Sequence, residues 1–242
     1  MKNLTRYLLT LMTVVFCTYS YGQINTPIIR GSLTNPALMK IRSKKADVKT
    51  EGHYFIEPEW YVGTVNFSKG EQVVGYPLRY HLEDDELEIK VEDEVKVASP
   101  KQIESFEWTL KDGTKQYFRV LDGYSLEGVP LVNKLAQVLT EGEMSAYKLY
   151  KLKKVTRDNM LTQQHPDAVK SEIVTYKTNY LAVGEELLEV KKSKKKMLAF
   201  FGSLEKEMES YIKKKKLSFG NDHELVAIIS HYNQLKGSTK NQ

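Results

Sequence analysis

Cysteine is almost missing from this chain: 242 residues hold one, Cys17, inside an apolar stretch near the N-terminus. Long apolar runs are missing too. The longest, roughly Tyr7 to Phe16, is broken by Thr10 and Thr13 and falls short of the about 20 residues that a membrane-spanning helix needs. Histidines are few, and none has the spacing of a zinc protease. His223 and His231 are eight residues apart rather than four, about 80° from each other around a helix. His53, His81 and His165 are scattered over strand and loop. Phosphate-binding glycine loops of the Walker or dinucleotide type are absent. The nearest string to a nucleophile elbow is Gly123-Tyr124-Ser125-Leu126-Glu127-Gly128. Glu127 stands there in place of the second glycine, in a β-like context rather than a strand-turn-helix. The acidic run from 83 to 94 contains no glycine of the kind a calcium loop turns on. It has a strand period and reads as the exposed side of a strand, while a glycosidase carboxylate pair is defined only by separation in space. These patterns point to no catalytic residue, no metal ligand and no cofactor.

What the N-terminus does contain is the three-part layout of an export signal. Lys2 and Arg6 precede the apolar stretch, and Ser20 and Gly22 occupy the −3 and −1 positions of a cleavage site. Cleavage is expected between Gly22 and Gln23, so residues 1–22 are a signal peptide and the mature chain has no membrane span. A lipoprotein reading fails on bulky Phe16, which sits before Cys17 where a small residue is required. Removal of the signal discards the only thiol. Thiolate catalysis, a disulfide framework and cysteine-ligated zinc are then excluded. The remaining 220 residues must be held together by their core, which a chain of this length can supply.

Charge is unevenly distributed. The net value is +5, but residues 23–190 carry −4 and residues 191–242 carry +7. The lysines of the tail fall in groups, notably Lys194, Lys195 and Lys196, and Lys213, Lys214, Lys215 and Lys216. Clustered cations of this kind can hold an anionic lipid headgroup or an acidic polysaccharide. The same residues also fit the solvated outer side of helices whose inner side is apolar. Nucleic acid is not an expected partner of an exported chain.

Periodicity divides the body into three. Residues 23–53 have no sustained period and read as an extended lead-in. Residues 54–190 alternate. Val74, Tyr76, Leu78, Tyr80 and Leu82 share one face of a strand, with Pro77 favouring an edge or a bulge. Leu87, Ile89 and Val91 follow, then Phe106, Trp108 and Leu110, and Asp112-Gly113 marks a hairpin. Apolar-rich segments at 131–140 and 145–155 come next, then a polar loop at 156–170 and short strands at 171–177, 179–183 and 186–190. The expected fold is mainly β, an antiparallel sandwich or open barrel, with a C-terminal α-helical appendage over 191–242. In that appendage Met197, Phe201, Leu204, Met208 and Ile212 recur at helical steps. Gly202-Ser203 is placed to kink or split the stripe. Asn221 and Glu224 have capping-box spacing for a second helix.

A leader ending in Gly22-Gln23 is followed by Trp-Tyr-Val-Gly-Thr-Val at 60–65 and Leu-Arg-Tyr at 78–80. Tyr-Lys-Leu-Tyr-Lys at 147–151 and a lysine-rich tail with His-Tyr-Asn at 231–233 complete the pattern. This ordering resembles uncharacterised exported proteins common in Bacteroidetes bacteria. The resemblance implies a periplasmic or cell-surface location and carries over no catalytic residue. The expected role is a non-catalytic binding or scaffolding module acting on an envelope component. The alternatives are a hydrolase with a site assembled from distant loops, and a barrel binding a small apolar ligand.

Overall fold

The structure, a computed structural model, describes residues 29–30, 40–41, 53–157, 170–191 and 193–239. The signal with Gly22 and Gln23 lies outside these residues, as do most of the lead-in and His165. Among the described residues fourteen strands form one sheet. They are β1 (Ile29–Arg30), β2 (Lys40–Ile41), β3 (Tyr61–Phe67), β4 (Gln72–His81), β5 (Glu86–Val91), β6 (Glu94–Ala98) and β7 (Ile103–Thr109), followed by β8 (Lys115–Leu121), β9 (Ser125–Leu126), β10 (Val129–Pro130), β11 (Lys134–Thr140), β12 (Ser145–Arg157), β13 (Lys170–Val183) and β14 (Glu186–Glu189). Three helices close the chain: α1 (Lys194–Leu198), α2 (Glu205–Lys215) and α3 (Asp222–Thr239). The expected class, mainly β with a C-terminal helical region, is what the structure shows. Of the two forms considered it is the open one, a single sheet that does not close into a barrel.

The spatial order is β10-β9-β14-β13-β12-β11-β8-β7-β3-β4-β5-β6-β2, with β1 paired to β4. Every pairing is antiparallel except β9 with β14. Local chemistry accounts for the hairpins. At Asp112-Gly113, Gly113 N–H donates to Leu110 O at 3.0 Å and Asp112 Oδ1 accepts from Thr114 N–H at 2.9 Å. In β4 the register against β3 shifts at Gly75. Pro77 pairs with Val62 on that side and falls between the stretches that β1 and β5 pair on the other. A residue with no N–H donor fits such a gap.

One row of side chains explains how the sheet is used. Val65, Phe106, Phe118, Gln137, Lys148 and Asn179 are successive register partners across six strands and therefore share one face. The first half of the row is apolar, and there the sheet curls over itself. β4 and β11 are four strands apart, about 19 Å in a flat sheet. Yet Tyr80 and Leu82 line the same small void as Leu135, Gln137 and Tyr150. Ring contacts run through this concave core from Tyr80 to Phe106 (5.9 Å), Phe118 (4.7 Å) and Tyr150 (6.4 Å). Burying each of these rings stabilises the curl by roughly 2–3 kcal/mol.

The helices cover the other end of the same face. Met197, Phe201, Met208, Ile212, Leu225, Ile228, Ile229 and Tyr232 pack with Met144, Ala146 and Leu181 of the sheet. The apolar stripe is split as expected: a 3-10 segment, Ala199–Leu204, joins α1 to α2, with Gly202 at φ 56°. Asn221 caps α3, its Oδ1 accepting from Glu224 N–H at 3.2 Å. The reciprocal half of the box goes elsewhere, since Glu224 Oε2 accepts from Ser218 N–H at 2.7 Å. Asn233 fixes α3 to the β11–β12 turn by two hydrogen bonds with the Met144 backbone, both 2.9 Å.

Candidate functional site

The most convergent set of ionisable groups is where α3 meets the polar half of the row. Lys148 Nζ and Asn179 Nδ2 both donate to the Asp222 carboxylate, and Tyr150 OH donates to Gln137 Oε1 at 2.5 Å. The Lys148 side chain is 11% exposed and that of Asp222 41%. Burial acts to raise the Asp222 carboxyl, but the hydrogen bonds from Lys148 and Asn179 and the Lys148 charge outweigh it, so the group sits below its ordinary value. Burial, with the negative charges of Glu57 and Asp222, pushes the Tyr150 phenol well up. These groups satisfy one another. The adjoining void has a volume of about 10 Å³, room for one water at most. The cluster is a clasp between helix and sheet.

The residues weighed in the sequence as chemistry are dispersed. Ser125 Oγ donates to Glu185 O at 3.3 Å on the two-residue strand β9. His81 stands between Tyr54 and Phe55, and its Nδ1 accepts from Asp84 N–H at 3.1 Å. His231 stacks on Tyr211 at 3.8 Å, and His53 Nδ1 donates to Phe55 O at 3.0 Å. No group of three metal-ligating side chains occurs among the described residues. The acidic run 83–94 is not the exposed side of one strand: it spans a turn, β5, a second turn and the start of β6, with Asp84, Asp85 and Glu86 half-buried. Glu88 is buried, accepting from Arg79 Nε (3.1 Å) and Nη2 (2.8 Å), while the Arg79 guanidinium lies over Phe55 and Trp60.

The tail lysines Lys194, Lys195, Lys196, Lys213, Lys214, Lys215 and Lys216 are all exposed. Lys213, Lys214 and Lys215 form the last turn of α2, where positive charge complements the helix dipole. That gives them a local reason to be there. Lys194, Lys195 and Lys196 open a five-residue helix, and Lys195 and Lys196 fall in its last turn as well.

A second basic feature is built by the long hairpin. β12 pairs with β11 only through Lys148, and β14 reaches β13 only at Tyr180–Val183. The pairing of β12 with β13 runs on for nine more pairs, from Leu149 opposite Thr178 to Arg157 opposite Lys170. It forms a two-stranded ribbon roughly 27 Å long. Lys151 and Lys153 are exposed on one face, beside Tyr176, which is 47% exposed. Lys153 Nζ is 5.7 Å from the Tyr176 ring centroid. Lys154 and Lys177 are exposed on the other face. There, residues 172–175 and 177 line a groove of about 350 Å³ with His53, Ile56 and Glu57. The ribbon's lysines are interleaved with apolar residues, which hides them in the sequence as ordinary strand positions. The sequence does show Lys151 and Lys153 two apart, on one face of a strand.

Comparisons of the chain with protein families, with curated proteins and with solved structures found no match. No helix among the described residues is long and apolar enough to cross a membrane.

Proposed function

We propose that this chain is an exported, non-catalytic binding or scaffolding module of the cell envelope, periplasmic or at the cell surface. Its contact element is the β12–β13 ribbon. The observation that carries this reading is the ribbon itself, which extends past both flanking strands and presents exposed cations on each face. A packed core anchors its base, with Tyr147, Leu149 and Tyr180 buried there, so the ribbon is held out from a firm support. The signal-like leader supports export. A hydrolase finds less support, because its best ionisable cluster is spent in the Lys148–Asp222 clasp. The ligand-enclosing barrel is set aside, because the sheet is open and its concave face is filled by side chains.

The test is fractionation in the native host. Replacing residues 151–176 by Asn-Gly closes the hairpin between Tyr150 and Lys177, which already face each other. The shortened chain is expected to fold and to leave the envelope fraction for the soluble one, while the intact protein, beginning at Gln23, stays. Retention of the shortened chain in the envelope would refute the assignment.

A further inference from the structure

We infer that the ribbon's ligand is an acidic polysaccharide, a sugar chain bearing carboxylate or sulfate groups. This rests on the reading of the ribbon as the contact element. The strands of the ribbon, residues 151–157 and 170–177, contain six Lys or Arg against one acid, Glu172. The rest of residues 23–190 carries −9. Within residues 54–190 a polyanion is therefore repelled by the rest of the body, which carries −13, and drawn to the ribbon; residues 23–53 (+4) and 191–242 (+7) are the other basic stretches.

Geometry selects among polyanions. Lys151 and Lys153 point from one face, Lys154 and Lys177 from the other. A flat lipid surface meets one face only, and interfacial elements bind it by burying Trp, Phe or Leu. Among the described ribbon residues the exposed large apolar side chain is Tyr176 alone. A flexible anionic chain engages both faces, and Lys151 and Lys153, about 6.8 Å apart along the strand, meet charges repeated along it. Tyr176 lies directly opposite Lys151 and within cation–π reach of Lys153. Its ring offers a flat apolar plane to the C–H face of a sugar ring while the lysines take the acidic substituents. Single-stranded nucleic acid uses the same combination of cations and rings, but export removes it from reach.

The experiment titrates the mature protein, residues 23–242, with polygalacturonate, heparin, neutral dextran, vesicles rich in phosphatidylglycerol, and oligothymidylate. Polygalacturonate or heparin is expected to bind, with log Kd linear in log salt, and dextran not. K151Q/K153Q, exposed positions whose unfolding midpoint should not move, is expected to weaken binding roughly tenfold and to lower the salt slope by about 2. Y176A should weaken binding, with Y176F restoring it, and K213Q/K214Q/K215Q should change little. Unchanged binding by K151Q/K153Q, loss by the α2 variant instead, or capture of vesicles or oligothymidylate in preference to the polysaccharides would each overturn the inference. If no polysaccharide binds yet the shortened chain leaves the envelope, the ligand class is wrong and the contact element stands. If the shortened chain binds polysaccharide as before, both fall.

Discussion

Replacing Lys148 by methionine tests whether the helical layer is joined to the sheet by the clasp or only by apolar packing. Methionine keeps most of the lysine stem, so the substitution removes a charge rather than volume. A hydrogen bond to a charged group contributes about 1.5–3 kcal/mol. Asp222 is 41% exposed, and solvent screening reduces the loss to about 1–1.5 kcal/mol. A cycle with Asp222→Asn should then show a coupling of about 1 kcal/mol at neutral pH. Urea unfolding measures it, with two probes that see different parts: Trp60 and Trp108 report the curled half of the sheet, and far-ultraviolet circular dichroism reports the helices. The pH dependence has a definite sign. The Asp222 carboxyl is held below its ordinary value, so its contribution is complete above about pH 4 and disappears as pH falls through the lower, folded value. The coupling should be gone in stronger acid. A coupling within about 0.3 kcal/mol of zero at neutral pH, or one that persists in acid, would show that the clasp holds nothing.

Two other substitutions examine the curled half. Arg79→Ala removes the Arg79 guanidinium from Glu88, whose side chain is 3% exposed, and should cost about 1.5–3 kcal/mol. Adding Glu88→Gln should recover part of that, and an Arg79→Ala protein with an unchanged urea midpoint would disprove the pairing. Gly63→Ala would place a Cβ 2.1 Å from Glu107 O and 2.6 Å from Leu78 Cδ1, forcing β3 away from β7. A loss of roughly 2–3 kcal/mol is expected, read as a lower melting temperature; a neutral effect would mean that the strands part more easily than their packing suggests.

What could be read from the chain follows the reach of each signal. Asp112-Gly113, Gly202 and Asn221 act on their own neighbours, so the hairpin, the helix break and the cap were all visible in one dimension. Pro77 was legible for the same reason, since a missing donor limits its surroundings wherever it lies. Glu88 was not. It alternates with Leu87 and Ile89 like an exposed residue, and only the arrival of Phe55 and Trp60 over Arg79 buries it. The row through Gln137, Lys148 and Asn179 is set by pairings between β11, β12 and β13, which no local pattern encodes. Residues 171–177 and 179–183 read as separate strands, divided at Thr178. Pairing along the whole of β12 carries β13 through both without a break.

The outermost strands of the sheet are two-residue stubs. At one end β10 closes on Pro130, which has no amide hydrogen, and at the other β2 is only Lys40–Ile41. An exposed strand is a template on which a neighbouring molecule can zip up, and among the described residues the two ends of the strand order offer hardly one rung each. The long open edges are those of the ribbon, and there the exposed Lys151, Lys153, Lys154 and Lys177 set like charges against any second copy that would pair with it.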